Sequence, residues 1–264
     1  MPLRPLLPAA LAAIALFAVT GAVTADPPPV GYLSGPEAPD TIRILPPAPT
    51  VDSARGQADR AVFRATRALK GSPRWSLAIG DAVEATPAML QDFSCAAGVN
   101  LTPDNAPRLT AILARVRKDT VAAVNGPKDL YQRKRPFLID DGDICVAKTP
   151  ALAASPDYPS GHTTWGWTVG LILAELVPDR SGPILSRARA FGESRVVCGV
   201  HNASAIEAGR TNGAALVAAL HGSPAFRADL DAARAELTAL RAVGPAPDAG
   251  VCRDEAALTD KSPW

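Results

Sequence analysis

The sequence predicts an all-α fold, a single-domain helical bundle of about eight or nine helices. Apolar residues recur at spacings of three and four along most of the chain, whereas alternating strand patterns are almost absent. Aromatic residues make up only 5% while alanine is abundant, as in helices that pack through small side chains. The 26 prolines indicate proline-rich connections between these helices.

The composition excludes several classes of protein. The 264 residues include 27 Lys and Arg against 26 Asp and Glu, a net charge of +1, with no run of five basic residues. This is not the charge pattern of a nucleic-acid-binding protein. With 47% hydrophobic and 20% charged residues, the body is neither disordered nor fibrous. We therefore expect a globular protein with no nucleic-acid partner.

Residues 1–25 have the pattern of a secretory signal peptide. Arg4 gives a positive start, residues 9–22 are almost continuously apolar, and small residues precede a cleavage site after Ala25. An uncleaved anchor is the alternative, but the apolar run is shorter than the roughly 20 residues that span a bilayer. We expect a secreted protein, periplasmic in a bacterium, with no membrane association in its mature form.

Residues 26–50 form a proline-rich arm, and residues 51–264 form the all-α domain. We expect the arm to be extended along the domain or partly disordered. In the domain, Asp52 or Ser53 caps a first helix that ends near Lys70. Further helices are predicted over residues 76–82, 87–97, 107–124, 162–176, 181–197, 202–220 and 224–242. Residues 126–158 are expected to be rich in loops.

Four cysteines, Cys95, Cys145, Cys198 and Cys252, follow the signal peptide. Export permits disulfides, and four cysteines allow three pairings. Pairing neighbours along the chain gives Cys95 with Cys145 and Cys198 with Cys252. No Cys-x-x-Cys pair occurs, which argues against a zinc site. We expect two structural disulfides and no metal.

Three short clusters gather most of the chemically useful side chains. A helix start concentrates free N–H groups and the positive end of the helix dipole, so it binds anions. Arginines are planar forks suited to phosphate, and a lysine adds a point charge. Cations, a helix start and two imidazoles together predict phosphoryl transfer without a metal. The clusters are Lys128 with Arg135-Pro136, then Pro159-Ser160-Gly161-His162, then Ser194-Arg195 with His201.

The three motifs, in this order, resemble the signature of the type 2 phosphatidic-acid phosphatase superfamily. Within it, the chain is most similar to the secreted class A bacterial non-specific acid phosphatases, over about residues 51–241. The resemblance implies an all-α fold shared with the vanadium haloperoxidases and no cofactor. It also implies phosphomonoesters and inorganic phosphate as ligands, and a homodimer or larger homo-oligomer.

The resemblance also implies a role for each motif residue. His201 is the nucleophile that forms a phosphohistidine, and His162 is the general acid that protonates the leaving alcohol. A neutral His201 and a protonated His162 predict a bell-shaped pH dependence with an acidic optimum. The phosphoryl oxygens are held by Lys128, Arg135, Ser160, Gly161 and Arg195.

One position departs from the family's pattern. Members carry an Asp four residues after the nucleophilic histidine, where it orients the ring, but here the residue is Ala205. Glu207 is too far around the helix to replace it, and Ser204 carries no charge. An acid from another segment is the remaining source, and the sequence does not choose among the candidates. These are Asp140, Asp141, Asp143 and Asp157.

Two alternative functions follow from the same residues. Without an orienting carboxylate, the residues that bind the phosphoryl oxygens are still present. The first alternative is therefore a weakly active or inactive phosphoester-binding protein. Ala205 is the residue that favours it. The second is a vanadate-dependent haloperoxidase, which resembles this superfamily in its anion site. The short chain argues against it, and so do the residues within and around the motifs, which resemble those of the acid phosphatases.

Overall fold

A computed structural model describes Met1 and residues 29–264 of the chain, so most of the predicted signal peptide lies outside the described residues. Within this range the protein has eleven α-helices and no strand, and the all-α prediction is confirmed. Three helices that apolar periodicity does not reveal, α1, α6 and α11, account for the higher count. The helices are α1 (Thr41–Ile44), α2 (Ala54–Thr66), α3 (Pro73–Gly80), α4 (Thr86–Ala97), α5 (Pro107–Tyr131), α6 (Pro150–Ala154), α7 (Gly161–Leu176), α8 (Ser181–Val197), α9 (Ala203–Leu220), α10 (Pro224–Val243) and α11 (Ala249–Thr259).

Helix α7 lies at the centre of the bundle, between α8 and α9. Ten of its 16 residues are buried, as expected for a helix that is covered around most of its circumference. Glycines allow α7 to lie close to both α8 and α9. A Cβ atom at Gly170 would lie 2.4 Å from that of Ala188, and one at Gly209 would lie 2.8 Å from the carbonyl oxygen of Ser160. The start of α7 is therefore held directly against α9.

Helix α5 packs against α7, α9 and α10 through the predicted apolar stripe. The sequence predicts a helix end near residue 126, but α5 continues to Tyr131 with Pro127 inside it. Pro127 is buried, so packing compensates for the hydrogen bond that proline cannot donate. The extension places Lys128 in the last turn of α5. The stripe residues are each at most 1% exposed, and they are Leu109, Ile112, Leu113 and Val116.

The described part of the arm, residues 29–50, lies against the helical domain. Tyr32 is buried, and its amide donates a 2.8 Å hydrogen bond to the carboxylate of Asp119 on α5. Its ring packs edge-on against Phe226. Further along, the hydroxyl of Tyr158 donates to the carbonyl oxygen of Pro46 at 2.7 Å. These contacts fasten the arm at both ends.

The disulfides join Cys95 to Cys252 and Cys145 to Cys198, so the predicted pairing of neighbours is wrong. That prediction favoured short loops, but closing a longer loop costs only about 0.6 kcal/mol per doubling of its length. The pairing is instead set by which cysteines the packed helices and loops bring close together. The amide of Cys145 donates to the carbonyl oxygen of Cys198 at 3.0 Å, and Cys252 lies on α11 beside α4.

We expect the double replacement of Cys145 and Cys198 by serine to lower the free energy of unfolding by about 2–4 kcal/mol. The disulfide closes a sequence separation of 53 residues, and removing it frees that loop in the unfolded chain. Guanidinium denaturation measures the difference. The control is the parent protein unfolded in the same denaturant series without a reductant, so that both proteins keep the Cys95–Cys252 disulfide. A change within about 0.5 kcal/mol, the size of an ordinary surface substitution, would contradict the prediction.

Candidate active site

Six of the seven predicted site residues line one cavity of about 390 Å³, formed by α5, α7 and the junction of α8 with α9. The seventh, Ser160, is fully buried next to the cavity-lining Gly161. Val121, Val124 and Leu152 contribute an apolar wall. The six residues are Lys128, Arg135, Gly161, His162, Arg195 and His201. Segments far apart in the chain therefore converge on one site.

A second cavity of about 380 Å³ lies beside the Cys95–Cys252 disulfide. It also contains a buried arginine, Arg187, but this guanidinium lies 2.6 Å from the carboxylate of Asp81. Its charge is thus already neutralised within the protein. The cavity lined by the motif residues differs because it combines four cationic side chains, those of Arg117, Lys128, Arg135 and Arg195, with two imidazoles.

His201 precedes α9 and is only 4% exposed. Its Nδ1 lies 2.7 Å from the backbone oxygen of Asp157 and 3.0 Å from the Oδ1 atom of the same residue. A carbonyl oxygen only accepts hydrogen bonds, so Nδ1 carries a proton. At 3.1 Å from Nε2 lies a nitrogen of Arg135, which only donates. Neutral His201 therefore keeps its lone pair on Nε2, as a nucleophile requires.

The surroundings of His201 keep its ring neutral. Burial lowers the pKa of His201 well below its usual value of 6.5, and the charges of Arg135, Lys128 and Arg195 lower it further. Burial also lowers the pKa of Lys128, to about 8. Its Nζ donates to the backbone oxygen of Pro156. In mildly acidic solution the cavity thus holds a cationic lysine and a neutral imidazole.

Arg195 lies in the last turn of α8 and is 6% exposed. Its Nε and Nη1 atoms have no hydrogen-bond acceptor among the described residues. Burial lowers the pKa of Arg195 to about 10, so the guanidinium stays charged at neutral and acidic pH. A buried N–H group without an acceptor costs about 1–3 kcal/mol, more when charged. Arg195 also lines the cavity, where its positive charge favours an anion.

Arg135 has most of its donors engaged with the protein. Nε donates to the backbone oxygen of Ser155 at 2.7 Å, and Nη1 donates to that of Val200 at 2.8 Å. Since the same Nη1 also faces the ring of His201, Arg135 fastens the cavity wall to the imidazole. This wall-forming role adds to the anion contact that the motif predicts.

At the start of α7, Ser160 caps the helix and Gly161 lines the cavity. Ser160 is the N-cap of the helix, because its hydroxyl accepts a hydrogen bond from the amide of Thr163 at 3.2 Å. Its own amide donates to the backbone oxygen of Ala205 at 3.0 Å. Gly161 follows at the cavity surface. The first-turn N–H groups and the dipole of this 16-residue helix make the local potential positive.

Both ring nitrogens of His162 face acceptors. Nε2 lies 2.8 Å from the backbone oxygen of Asp81, and Nδ1 lies 2.9 Å from the carboxylate of Glu84. Burial alone would raise the pKa of Glu84, but bonds to His162 and Arg117 lower it to about 2. The carboxylate is therefore ionised, and an imidazolium fits this site. Burial and Arg195 hold the pKa of His162 below 6.5, while Glu84 and Asp81 oppose that shift.

Asp157 is the acid that lies against His201 among the four candidates from other segments. Asp140 binds Arg60 at 2.7 Å, and Asp143 binds Lys70 at 2.8 Å. Neither of these carboxylates lines the cavity. The contact joins residues 44 positions apart, which motif spacing does not reveal.

The residues around position 205 do not replace the missing acid. Ala205 is fully buried, in a cluster with Leu45 and Tyr158. The hydroxyl of Ser204 donates to Asp59 at 2.5 Å. Glu207 is exposed and binds Arg55 at 2.6 Å. The sequence-based exclusion of Glu207 agrees with this placement.

Glu84 is the functional residue that the sequence did not indicate. It belongs to the short connection between α3 and α4, outside every motif. In residues 29–264, no group of three or more His, Cys, Asp and Glu side chains is arranged to hold a metal ion. Across the described part of the chain, every helix is too short or too polar to cross a membrane.

Comparison with known proteins places the chain in a family. The PAP2 superfamily matches residues 109–228, which include the three motifs. An acid phosphatase of Zymomonas mobilis is 42% identical over 217 residues, covering 82% of each chain. A non-specific acid phosphatase of Providencia stuartii is 34% identical over 216 residues, or 81% of this chain and 87% of that one. One of Salmonella typhimurium is 34% identical over 195 residues, or 73% and 78%. With its motif residues gathered around one cavity and this similarity over most of its length, the chain belongs to the PAP2 superfamily.

Proposed function

We propose that this protein is an acid phosphatase that hydrolyses phosphomonoesters of broad specificity through a phosphohistidine on His201, without a metal. The single observation that carries the proposal is the buried guanidinium of Arg195. Arg195 lines the cavity that also holds a neutral imidazole, and its Nε and Nη1 groups have no hydrogen-bond acceptor among the described residues. The names of the relatives, acid phosphatase and non-specific acid phosphatase, support the same activity.

In the first half of the reaction, Nε2 of His201 attacks phosphorus and the ester P–O bond breaks. Arg195, Lys128 and the start of α7 hold the phosphoryl oxygens, whose charge they neutralise in the transition state. His162 gives a proton to the leaving oxygen, so the product is a neutral alcohol. Nε2 of His162 faces a backbone carbonyl and Nδ1 faces the carboxylate of Glu84, so the leaving oxygen takes its proton in competition with one of these acceptors.

In the second half, water replaces the alcohol. His162, now neutral, removes a proton from the water molecule as its oxygen attacks phosphorus. The N–P bond breaks, its electron pair returns to Nε2 of His201, and inorganic phosphate leaves. Both histidines then have their starting protonation states. The carboxylate of Glu84 favours the protonated form of His162 throughout the cycle.

The directions of the two pKa shifts produce an acidic optimum. His201 must be neutral, and its pKa lies well below 6.5, so activity is lost only when the pH falls far enough to protonate it. His162 must be protonated, and its pKa is also below 6.5, so activity is lost as the pH rises. The maximum of kcat/KM is expected between these limits.

We expect the protein to hydrolyse p-nitrophenyl phosphate in the presence of EDTA, with a bell-shaped pH profile whose maximum lies below pH 6.5. Initial rates between about pH 4 and 9 measure it. A flat profile contradicts the two histidine roles, and loss of activity in EDTA contradicts a metal-free reaction. Tight phosphate binding without turnover identifies the phosphoester-binding alternative. Halide oxidation with added vanadate identifies the haloperoxidase.

Export and assembly are part of the same proposal. We propose that residues 1–25 direct secretion, to the periplasm in a bacterium, and that a proline-rich arm and the all-α domain follow. The two disulfides support an oxidising compartment. Assembly into a homodimer or larger homo-oligomer stays a prediction.

A further inference from the structure

We propose that Asp157 is the positioning residue of His201, and that it supplies the carboxylate that position 205 lacks. Asp157 precedes α7, whereas Ala205 lies in α9. The inference rests on the proposed function, because it gives Asp157 a part in the reaction of His201. Asp157 would act through the imidazole and would not touch the phosphoryl group.

The contacts of Asp157 converge on two consecutive residues. Its Oδ1 accepts from Nδ1 of His201 at 3.0 Å and from the amide of Asn202 at 3.1 Å. Its Oδ2 accepts from the side-chain amide of Asn202 at 2.8 Å. The amide of Asp157 donates to the backbone oxygen of Arg133 at 2.8 Å. The carboxylate is thus fixed relative to the ring that it holds.

Asp157 is placed as an ionised carboxylate. It is fully buried, and Nη1 of Arg133 lies 3.2 Å from its Oδ2. Every partner of the two oxygens is a donor, so a proton on the carboxyl group would meet no acceptor. Burial raises the pKa of Asp157, while Arg133, Asn202 and Arg135 oppose this shift.

Arg133 connects this carboxylate to the rest of the fold. Besides Asp157, it binds Asp59 on α2 at 2.7 Å. Asp59 in turn accepts from the amide of Ser204 at 2.9 Å, in the first turn of α9. The acid that holds His201 is therefore tied to the helix that begins directly after His201.

The surroundings of Ala205 complement this arrangement. Its methyl group is buried in a cluster with Leu45, Tyr158 and Ala208. A carboxylate at 205 would be buried among apolar side chains, which is costly. It would also lie only three residues after Asn202, which already binds the carboxylate of Asp157. An alanine at 205 and an acid at 157 therefore fit together, with one carboxylate serving His201.

The backbone and the side chain of Asp157 act separately on His201. The backbone oxygen, 2.7 Å from Nδ1, fixes the tautomer by itself. The carboxylate adds a negative charge beside a ring that becomes positive when Nε2 bonds to phosphorus. Replacing Asp157 with Asn keeps the backbone oxygen and removes the charge, and it also turns one amide NH2 group toward the donors that the carboxylate accepts. The loss should therefore be smaller than the roughly 10⁴-fold loss seen when a triad histidine also adopts the wrong tautomer.

We expect Asp157→Asn to lower kcat for p-nitrophenyl phosphate by about 10²- to 10³-fold, with KM changed by less than about threefold. Steady-state kinetics measure both constants. The pKa of His201 should fall, because the neighbouring negative charge that favours imidazolium is gone. Titration by ¹⁵N NMR measures it, since the chain has only three histidines. A merely structural role would leave the pKa of His201 in place.

The matched control is Asp119→Asn. Asp119 is also a buried carboxylate, 6% exposed, but it binds the amides of Tyr32 and Leu33 in the arm. This variant should keep the kcat of the parent. A folded Asp157→Asn protein with kcat within about fivefold of the parent overturns the inference, provided that His201→Ala is inactive. An active His201→Ala protein shows instead that the proposed nucleophile is wrong.

A measurement on the unmodified protein covers the case in which Asp157→Asn does not fold. The neutral form of His201 should show a protonated Nδ1 in ¹⁵N NMR, with this proton strongly shifted by its bonds to Asp157. A neutral His201 that carries its proton on Nε2 overturns the inference without any variant.

Discussion

His201→Ala should lose nearly all phosphatase activity, with kcat/KM for p-nitrophenyl phosphate reduced by about 10⁵- to 10⁶-fold, as for other removed nucleophiles. The reason is the ring geometry. Nε2 of His201 carries the lone pair of a neutral imidazole, whereas both nitrogens of His162 face acceptors. His162 therefore cannot take over the attack on phosphorus. Initial rates and retention of ³²P on the protein after an alkaline quench measure the two consequences.

His221→Ala is the matched control for this prediction. His221 is the third histidine of the chain, partly exposed, and it binds Glu175 at 3.0 Å on another part of α7. It does not line the cavity, so its replacement should leave kcat/KM within about twofold of the parent value. Labelled protein in the His201→Ala variant would show that another residue accepts the phosphoryl group.

The fold could be predicted from sequence where helices bury an apolar stripe. The apolar stripe of α5 predicted this helix correctly, but the predicted C-terminal end was too early. The helix continues through Pro127 because tertiary packing accommodates this residue, and such packing is not visible in the sequence. Helix α11 was missed because Thr259 is its only buried residue in the structure. The Cys95–Cys252 disulfide and polar contacts of Glu255 and Thr259 with α8 hold it, and not an apolar face. Such cross-links join segments that periodicity treats as unrelated.

The candidate site could be predicted where a motif carries the chemistry. Spacing and residue type indicated both histidines and all three cations, and six of the seven motif residues line one cavity. The two acids that accompany the histidines, Asp157 and Glu84, came from connections between helices. Their contacts with His201 and His162 depend on how α7, α8 and α9 pack, and packing is not local in sequence.

Arg195→Met should lower kcat/KM by about 10³- to 10⁴-fold, because each lost donor to the phosphoryl oxygens typically costs about 10²- to 10³-fold. Steady-state kinetics measure this loss. Inorganic phosphate should stabilise the parent protein in thermal unfolding, by an amount that grows with the phosphate concentration. The variant should lack most of this stabilisation, since Arg195 lines the cavity and its Nε and Nη1 have no acceptor among the described residues.

The same substitution should raise the free energy of unfolding of the phosphate-free protein by about 1–3 kcal/mol, because it removes buried charged N–H groups that have no acceptor within residues 29–264. Arg187→Met is the matched control. Arg187 is also buried, but it pairs with Asp81 at 2.6 Å, so its loss leaves a buried carboxylate behind. The free energy of unfolding of that variant should fall by about 3–5 kcal/mol. Opposite signs for the two arginines would identify Arg195 as a residue kept for anion binding at the expense of stability. A loss of stability in both would mean that Arg195 has a structural partner.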